Sequence, residues 1–184
     1  MPIKSAKKKS IIFRQICELI PGHMVFKIAR KYGIKARAIT AWSHVVSMLY
    51  AQFSHAIGLN DVCDALRSNR SALASIRGAK PPSRNGLSHA NKTRNPEMAQ
   101  ELFWSVLNYL EQLHPGFGGS KFGKLPRRFK RTVHVIDSST IKLFANCLDW
   151  ARHRRRKAAA KLHLSLDMQS ILPAFAVVDS AKGH

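Results

Sequence analysis

The spacing of apolar residues changes its period part-way along the chain. In the front part, apolar side chains recur every three or four residues, which is the pattern of amphipathic helices. After a Gly- and Lys-rich loop at 116–131, β-branched residues at 132–136, an alternating stretch at 162–166 and an apolar run at 171–178 predict three strands. The short segment 168–170 predicts an antiparallel hairpin between the last two. The sequence therefore predicts an α+β fold, with helices first and antiparallel strands last.

Several signals place the helices. Helical runs at 11–20 and 25–33 flank a Pro-Gly pair. The pair 60–61 predicts one helix start, and residues 95–97 predict another, for a helix that ends at 114–116. From Ala38 to Leu66 there is no Lys or Arg, and this segment carries a wide apolar face that predicts a central packed helix: Trp42, Val45, Val46, Leu49, Phe53, Ala56 and Ile57.

These signals divide the chain into four parts. Residues 1–78 form a helical module, a candidate for DNA binding, and 79–95 are predicted to be a linker because they hold two Pro, several Ser and Asn and four basic residues. Residues 96–131 hold a helix and a basic loop, and 132–184 hold the strands. The linker is expected to lack regular structure and to divide the chain.

The charge of the chain limits its partners. Its 184 residues include 31 Lys and Arg against 10 Asp and Glu, a formal net charge of +21. Such an excess favours polyanions, of which DNA, RNA and anionic membranes are the candidates. Cys17, Cys63 and Cys147 lie too far apart to indicate a zinc module or a disulfide framework. With no signal peptide or membrane span predicted, we expect a soluble cytoplasmic protein that does not bind membranes.

A weak helix-turn-helix signature lies near the front of the chain. Ala29, Gly33 and Ile39 have the spacing of its small residue, turn glycine and buried aliphatic residue, and Lys35 and Arg37 would then meet DNA phosphates. The alternative is that Gly33 only ends a helix.

A second basic region lies on both sides of the first predicted strand. From Lys121 to Lys161 there are 13 Lys or Arg against two Asp, and in the run WARHRRRKAAAK a Trp stands among the cations. This composition suits phosphate contacts with stacking, although a charge run can also be an ordinary solvated face. The candidate DNA-binding residues of the whole chain are Lys35, Arg37, Arg127, Arg128, Lys130, Arg131, Arg152, Arg154, Arg155, Arg156, Lys157 and Lys161.

One acid is placed for chemistry. In VHVIDSST, residues 133–140, a hydrophobic strand is predicted to run into Asp137 and three hydroxyl residues. A carboxylate at a strand end is well placed to hold a divalent metal, so Asp137 is the candidate catalytic and metal-binding residue. The alternative is a turn in which Asp137 accepts hydrogen bonds from the following amides.

Segments along nearly the whole chain resemble insertion-sequence DDE transposases of the group named after insertion sequence four. In the back half they are VHVIDSSTIKL, WARHRRRKAAAKLHLSLD and ILPAFAVVDSAKGH. In the front half, FRQICELIPGHMVFKIARKYG and PPSRNGLSHANKTRNPEMAQELF resemble the region that precedes the catalytic domain in that group.

The resemblance implies that 132–184 begin an RNase-H-like catalytic domain. In the family, three acids hold two Mg²⁺ (or Mn²⁺) ions that cut and rejoin DNA, with water and then a DNA 3′-hydroxyl as nucleophiles. Asp137 matches the first acid, and Lys161 lies in the matching KLH segment. The strands at 161–167 and 171–178 match the second and third strands of that domain.

The chain departs from the family at the other acids. Asp149, Asp167 and Asp179 do not match the second and third catalytic positions, which lie beyond the third strand in the family. We therefore expect a truncated, inactive form that does not hold Mg²⁺ stably and whose sheet lacks its cover. Its expected partners are insertion-sequence terminal repeats, a second copy of itself or a full-length transposase. The alternatives are a non-enzymatic DNA-binding inhibitor and a general RNA-binding protein.

Overall fold

The computed structural model describes residues 12–35, 38–114, 116–117, 133–143, 152–153 and 157–180. The chain forms two compact units, Met1–Leu110 and Glu111–His184, and the boundary falls in the last turns of one long helix. Within the described residues the first unit is helical and the second contains an antiparallel sheet. The predicted α+β class is confirmed at this level.

The helices follow one another through short connections. In chain order they are α1 at 12–18, α2 Gly22–Lys31, α3 Ala41–Phe53, α4 Leu59–Ser68, α5 Arg70–Ala74, α6 Arg84–Thr93 and α7 Glu97–Leu113. None of these helices, within the described residues, is long and apolar enough to cross a membrane.

The predicted central helix exists as α3, but it is shorter than the apolar face suggested. Trp42 and Val46 are buried in the core, whereas Phe53 is 56% and Ile57 is 86% exposed. The helix ends because His55 takes a left-handed φ of 51°, and the Ala56 N–H donates to the carbonyl of Ala51 in the last turn. Ala56 and Ile57 therefore lie beyond the helix.

Residues 79–95 were predicted to lack regular structure and to divide the chain, and both predictions are wrong. Residues 84–93 form α6, whose start is capped by the Ser83 hydroxyl, which accepts from the Gly86 N–H at 3.1 Å. Leu87 and Ala90 of α6 belong to the same buried core as α3, so this segment does not divide the chain. Burial of these two side chains and the Ser83 cap outweigh the low helix propensity of the surrounding Asn, Ser and Thr residues.

Helix starts at the other predicted positions are close to expectation. Asn95 caps α7 by accepting from the Glu97 N–H at 2.9 Å, as predicted, and the helix ends at Leu113. For α4 the predicted cap at 60–61 is displaced. Gly58 precedes the helix, and the Asp61 carboxylate accepts from the Gly58 N–H at 3.0 Å.

The second unit contains an antiparallel sheet of three long strands and one short strand. The strands are β1 His134–Leu143, β2 Arg152–His153, β3 Lys157–Asp167 and β4 Pro173–Ser180. β3 pairs with β1, β2 and β4, all antiparallel. The predicted hairpin between the last two strands is confirmed, with the turn at residues 168–172.

The first strand is longer than predicted, and this changes the position of Asp137. β1 does not stop at the turn-prone serines but continues to Leu143, so Asp137 lies within the strand and not at its end. Ser138 and Ser139 stay extended because they pair with His163 and Leu162 of β3. Cross-strand pairing has overridden the local turn preference.

Candidate nucleic-acid interface

The surface of the helical unit has many cations without an acidic partner. Residues 1–110 carry 17 Lys and Arg against five Asp and Glu. Three of those acids are already paired: Glu18 with Arg14, Asp64 with Arg67, and Glu101 with Lys31, at 2.7–3.0 Å. By contrast, several exposed cations in the described part of this unit form no hydrogen bond or ion pair through their side chains: Lys27, Arg30, Lys35, Arg70, Lys80, Arg84 and Lys92.

Two of these cations belong to one face of α2. His23, Phe26, Lys27 and Arg30 are exposed at the i, i+3, i+4, i+7 spacing that places residues on one side of a helix. The opposite side buries Val25, Ile28 and Ala29 in the core. We call the exposed side the α2 face; it contains no acid.

Two contacts to Glu101 hold the end of α2 against α7. The Glu101 carboxylate accepts from the Lys31 ammonium at 2.7 Å and from the Tyr32 hydroxyl at 2.8 Å. The hydrogen bond from Lys31, and then that from Tyr32, lowers the pKa of Glu101, so it stays ionised through the neutral range. Lys31 is thereby engaged within the protein, and the α2 face leaves Lys27 and Arg30 for outside partners.

α6 presents a second face without acids. Leu87 and Ala90 are buried, while Asn85, Ser88, His89 and Lys92 are exposed on the opposite side at the same i, i+3, i+4, i+7 spacing. We call these four residues the α6 face. Their side chains form no hydrogen bond or ion pair within the part of the chain that the structure describes.

Two sets of contacts hold α6 against α3 and the residues that precede it. His44 Nε2 and Asn91 Oδ1 lie 2.6 Å apart, and burial lowers the pKa of His44, so the imidazole is neutral at pH 7. The Arg94 guanidinium, just after α6, donates to the carbonyls of Ile39 and Thr40 before α3. The Arg94 side chain therefore stabilises the fold, and the contacts on the core side of α6 fix the orientation of this helix.

The helix-turn-helix interpretation is not supported by the geometry of residues 29–40. Ala29 and Ile39 are buried, but Gly33 has a φ of 63° and ends α2 in a Schellman motif, with the Ile34 N–H bonded to the Ala29 carbonyl. Nine residues separate α2 from α3, more than the three or four of that motif. The alternative interpretation of Gly33 is confirmed.

The predicted DNA-binding residues are only partly described. Lys35 is exposed in the segment after α2, and Lys161 lies in β3 opposite Thr140 and Asp179. Arg152 begins β2 and Lys157 begins β3. The others lie outside the described residues: Arg37, Arg127, Arg128, Lys130, Arg131, Arg154, Arg155 and Arg156.

The described acids of the sheet do not share a face. Asp137 is exposed, accepts from the Ser139 hydroxyl at 3.1 Å and stands opposite Leu164 of β3. Asp167 follows Leu164 by three residues along β3. Asp179 stands opposite Lys161, which precedes Leu164 by three residues. Because directly opposed residues project to the same side and side chains alternate along a strand, Asp137 projects to one face and both other acids to the other.

This arrangement does not fit a metal centre. A two-metal site needs several carboxylate oxygens within a few ångströms of each other. Among the described residues, no three His, Cys, Asp or Glu side chains are grouped so that they could hold an ion. Asp167 is also engaged in the hairpin, where it accepts from the Gln169 N–H at 2.8 Å.

Sequence reasoning missed both acid-free faces of the helical unit. The α2 residues stood outside the helix-turn-helix signature, and the α6 residues were assigned to a linker. The available signal for α6 was Ser83 followed by apolar residues at 87 and 90, which is a cap before a short amphipathic helix.

Comparison with known protein families gives a match in the helical unit. A family described as a domain of unknown function (DUF4372) matches residues 8–78, which include α1 to α5. No curated protein and no solved structure matches the chain.

Proposed function

We propose that this chain is a DNA-binding protein of transposition, related to the insertion-sequence transposases that its segments resemble. The observation that carries the proposal is the surface of the helical unit, where three of the five acids are ion-paired within the protein while seven exposed cations of the described residues are not. Such a surface favours a polyanion, and contacts of Lys and Arg to phosphates supply most of the sequence-independent affinity for DNA. The expected partner is duplex DNA at the ends of an insertion sequence.

The sheet agrees with the resemblance in strand order. The resemblance implies three consecutive strands with the first acid on the first strand. β1, β3 and β4 are the long strands, they form antiparallel neighbours in sequence order, and Asp137 is on β1. The RNase-H-like relationship of this unit remains part of the proposal.

Binding without cleavage is the form of the function that the described residues favour. Strand cleavage by two Mg²⁺ or Mn²⁺ ions requires acids that converge, whereas Asp137 is on the opposite face of the sheet from Asp167 and Asp179. A DNA-binding protein that occupies insertion-sequence ends, alone or together with a full-length transposase, needs only the basic surface.

The test is binding of the full chain to a labelled random-sequence DNA duplex at salt concentrations between about 50 and 200 mM. We expect the logarithm of the affinity to fall linearly with the logarithm of the salt concentration. For the variant Lys27→Gln/Arg30→Gln, we expect a shallower slope, because its complex with DNA would have about two fewer contacts to phosphates.

A matched control separates contact from total charge. Arg14→Gln/Arg67→Gln also removes two positive charges, but these two cations are paired with Glu18 and Asp64. We expect its salt slope to stay near that of the wild type. Equal slopes for both variants, or a preference for an RNA hairpin over the DNA duplex at equal salt, would contradict the proposal.

A further inference from the structure

Helix α6 has a surface composition that helix stability alone does not favour. Its exposed positions hold Asn85, Ser88 and His89, which are weaker helix formers than Ala, Glu, Gln or Lys. A solvent-facing helix gains up to about 0.7 kcal/mol for each such position filled with a strong helix former. Local choices that weaken a helix are typical of residues kept for contact with a partner.

We propose that α6 is the helix that reads base edges in the major groove of duplex DNA. This inference rests on the proposed function, since it names the element through which the chain would recognise its DNA. The α6 face offers an amide, a hydroxyl, an imidazole and an ammonium, all of them hydrogen-bonding groups. Asn pairs with adenine through N6 and N7, Lys donates to guanine O6 and N7, and Ser accommodates either base.

The charge around α6 is complementary to DNA. Arg84 and Lys92 lie at the two ends of the helix, and Lys80 precedes it; the side chains of all three are exposed and unpaired within the described part of the chain. No Asp or Glu occurs between residues 65 and 96. Lys80 and Arg84 lie before and at the start of the α6 face, where they would meet phosphates beside the groove while the side chains of the face meet bases.

The dimensions and attachment of α6 suit insertion into the groove. A helix of 10 residues is about 15 Å long, and the major groove is about 12 Å wide, enough for a helix with its side chains. On its core side, α6 is held by buried Leu87 and Ala90 and by the His44–Asn91 contact. Its outer side chains are therefore presented by a fixed element, which base recognition requires.

The α2 face differs in chemistry and suits phosphates instead. Its polar groups are the long cations Lys27 and Arg30 beside His23, with the exposed ring of Phe26 between them. Flexible cations bind backbone phosphates without reading sequence, whereas short amide and hydroxyl groups have the fixed geometry that selects a base. The structure thus assigns anchoring to α2 and reading to α6.

The first experiment is selection of duplexes from a randomised DNA pool by the full wild-type chain and by Asn85→Ala/His89→Ala. Neither substitution removes a Lys or Arg, and both lie on exposed positions, so the sequence-independent affinity should change less than twofold. For the sequence that the wild type enriches, the variant should bind at least tenfold more weakly. Gln52→Ala/Gln100→Ala, at exposed positions of α3 and α7, is the control and should behave as the wild type.

A second measurement locates the contact in the groove. In the selected duplex, each adenine is replaced in turn by 7-deazaadenine, which lacks only the N7 acceptor of the major groove. At one position the wild type should lose affinity, while the Asn85→Ala chain should show no further loss there, as in a double-mutant cycle.

The outcomes separate this inference from the proposed function. If the Asn85→Ala/His89→Ala chain enriches the same sequence with undiminished affinity, α6 is not the reader. If the wild type binds duplex DNA but enriches no sequence, the reading role is wrong and the DNA-binding proposal stands. If the wild type fails to bind duplex DNA even at low salt, the proposed function fails, and the inference fails with it.

Discussion

Arg77 closes the C-terminal end of α1 with its side chain. Its guanidinium donates to the carbonyls of Cys17 at 3.4 Å, of Glu18 at 3.0 Å and of Ile20, which lie at the end of α1 and just beyond it. The same group lies over the Trp42 ring, 5.1 Å from its centroid. Because its contacts reach both α1 and α3, Arg77 links the first helix to the core.

The planar fork of Arg77 is therefore expected to contribute to stability. Arg77→Lys keeps the charge and the Cβ atom at this left-handed position, where φ is 47°, and removes only the fork. We expect the free energy of unfolding to fall by about 1–3 kcal/mol, since hydrogen bonds to charged groups are lost. Urea unfolding followed by tryptophan fluorescence measures the change.

The control for this substitution is Arg70→Lys. Arg70 is exposed at the start of α5, and its side chain forms no hydrogen bond or ion pair within the described residues, so its replacement should change stability by less than about 0.5 kcal/mol. If Arg77→Lys unfolds at the same urea concentration as the wild type and as this control, the capping role of Arg77 is refuted.

At the scale of elements, the sequence predicted what local spacing determines. α2, α7 and the β3–β4 hairpin were found because each carries its own signals: Gly33 after α2, Asn95 before α7, and the short turn between alternating strands. α6 and the second half of β1 were missed. Leu87 becomes decisive only when it is buried beside α3, and Ser138 stays extended only because β3 pairs with it. Such tertiary effects do not appear in a local pattern.

The candidate sites followed the same division. Asp137 was predicted as an acid at the end of the first strand, but its place within β1 and its separation from Asp167 and Asp179 depend on strand pairing and register, which spacing does not supply. The exposed side of α6 could be recognised only once residues 84–93 were known to be helical.

The docking of α6 on α3 should make stability depend on pH. His44 is half-buried, and burial lowers its pKa below the value of about 6.5 that the unfolded chain has. As the pH falls from 7.5 towards 5, the unfolded chain takes up a proton at this position before the folded chain does. The free energy of unfolding should therefore decrease as the pH falls through 6.5.

Comparison with His44→Gln isolates this contribution. Glutamine can still donate to Asn91 but does not titrate, so the variant should lose less stability than the wild type between pH 7.5 and 5. Urea unfolding at each pH measures both chains, and His89→Gln, at an exposed position of α6, is the control. Parallel pH profiles for wild type and His44→Gln would contradict the assignment.

At the scale of the whole molecule, the two units differ in how well they bury their apolar residues. The buried core consists of helical-unit residues such as Trp42 and Leu87, whereas among the described sheet residues only Ala160 and Ser165 are buried. Apolar side chains are exposed on both faces of the sheet: Val135 and Val178 on one, Ile136, Phe175 and Val177 on the other. Uncovered apolar strands promote association between chains.

Self-association should accordingly depend on the sheet and not on the helical unit. Ile136 is 75% and Val178 is 59% exposed, so Ile136→Lys/Val178→Lys removes apolar surface from both faces with little cost in burial. We expect sedimentation velocity at rising protein concentration to show weaker association for this variant. Ile57→Lys/Phe53→Lys is the matched control, because these residues are similarly exposed in the helical unit and the substitutions add the same two charges.

If both variants reduce association equally, general charge repulsion is the cause. If Ile136→Lys/Val178→Lys unfolds the sheet while the control does not, the strands are covered in solution by another surface, and that surface must be apolar to match them.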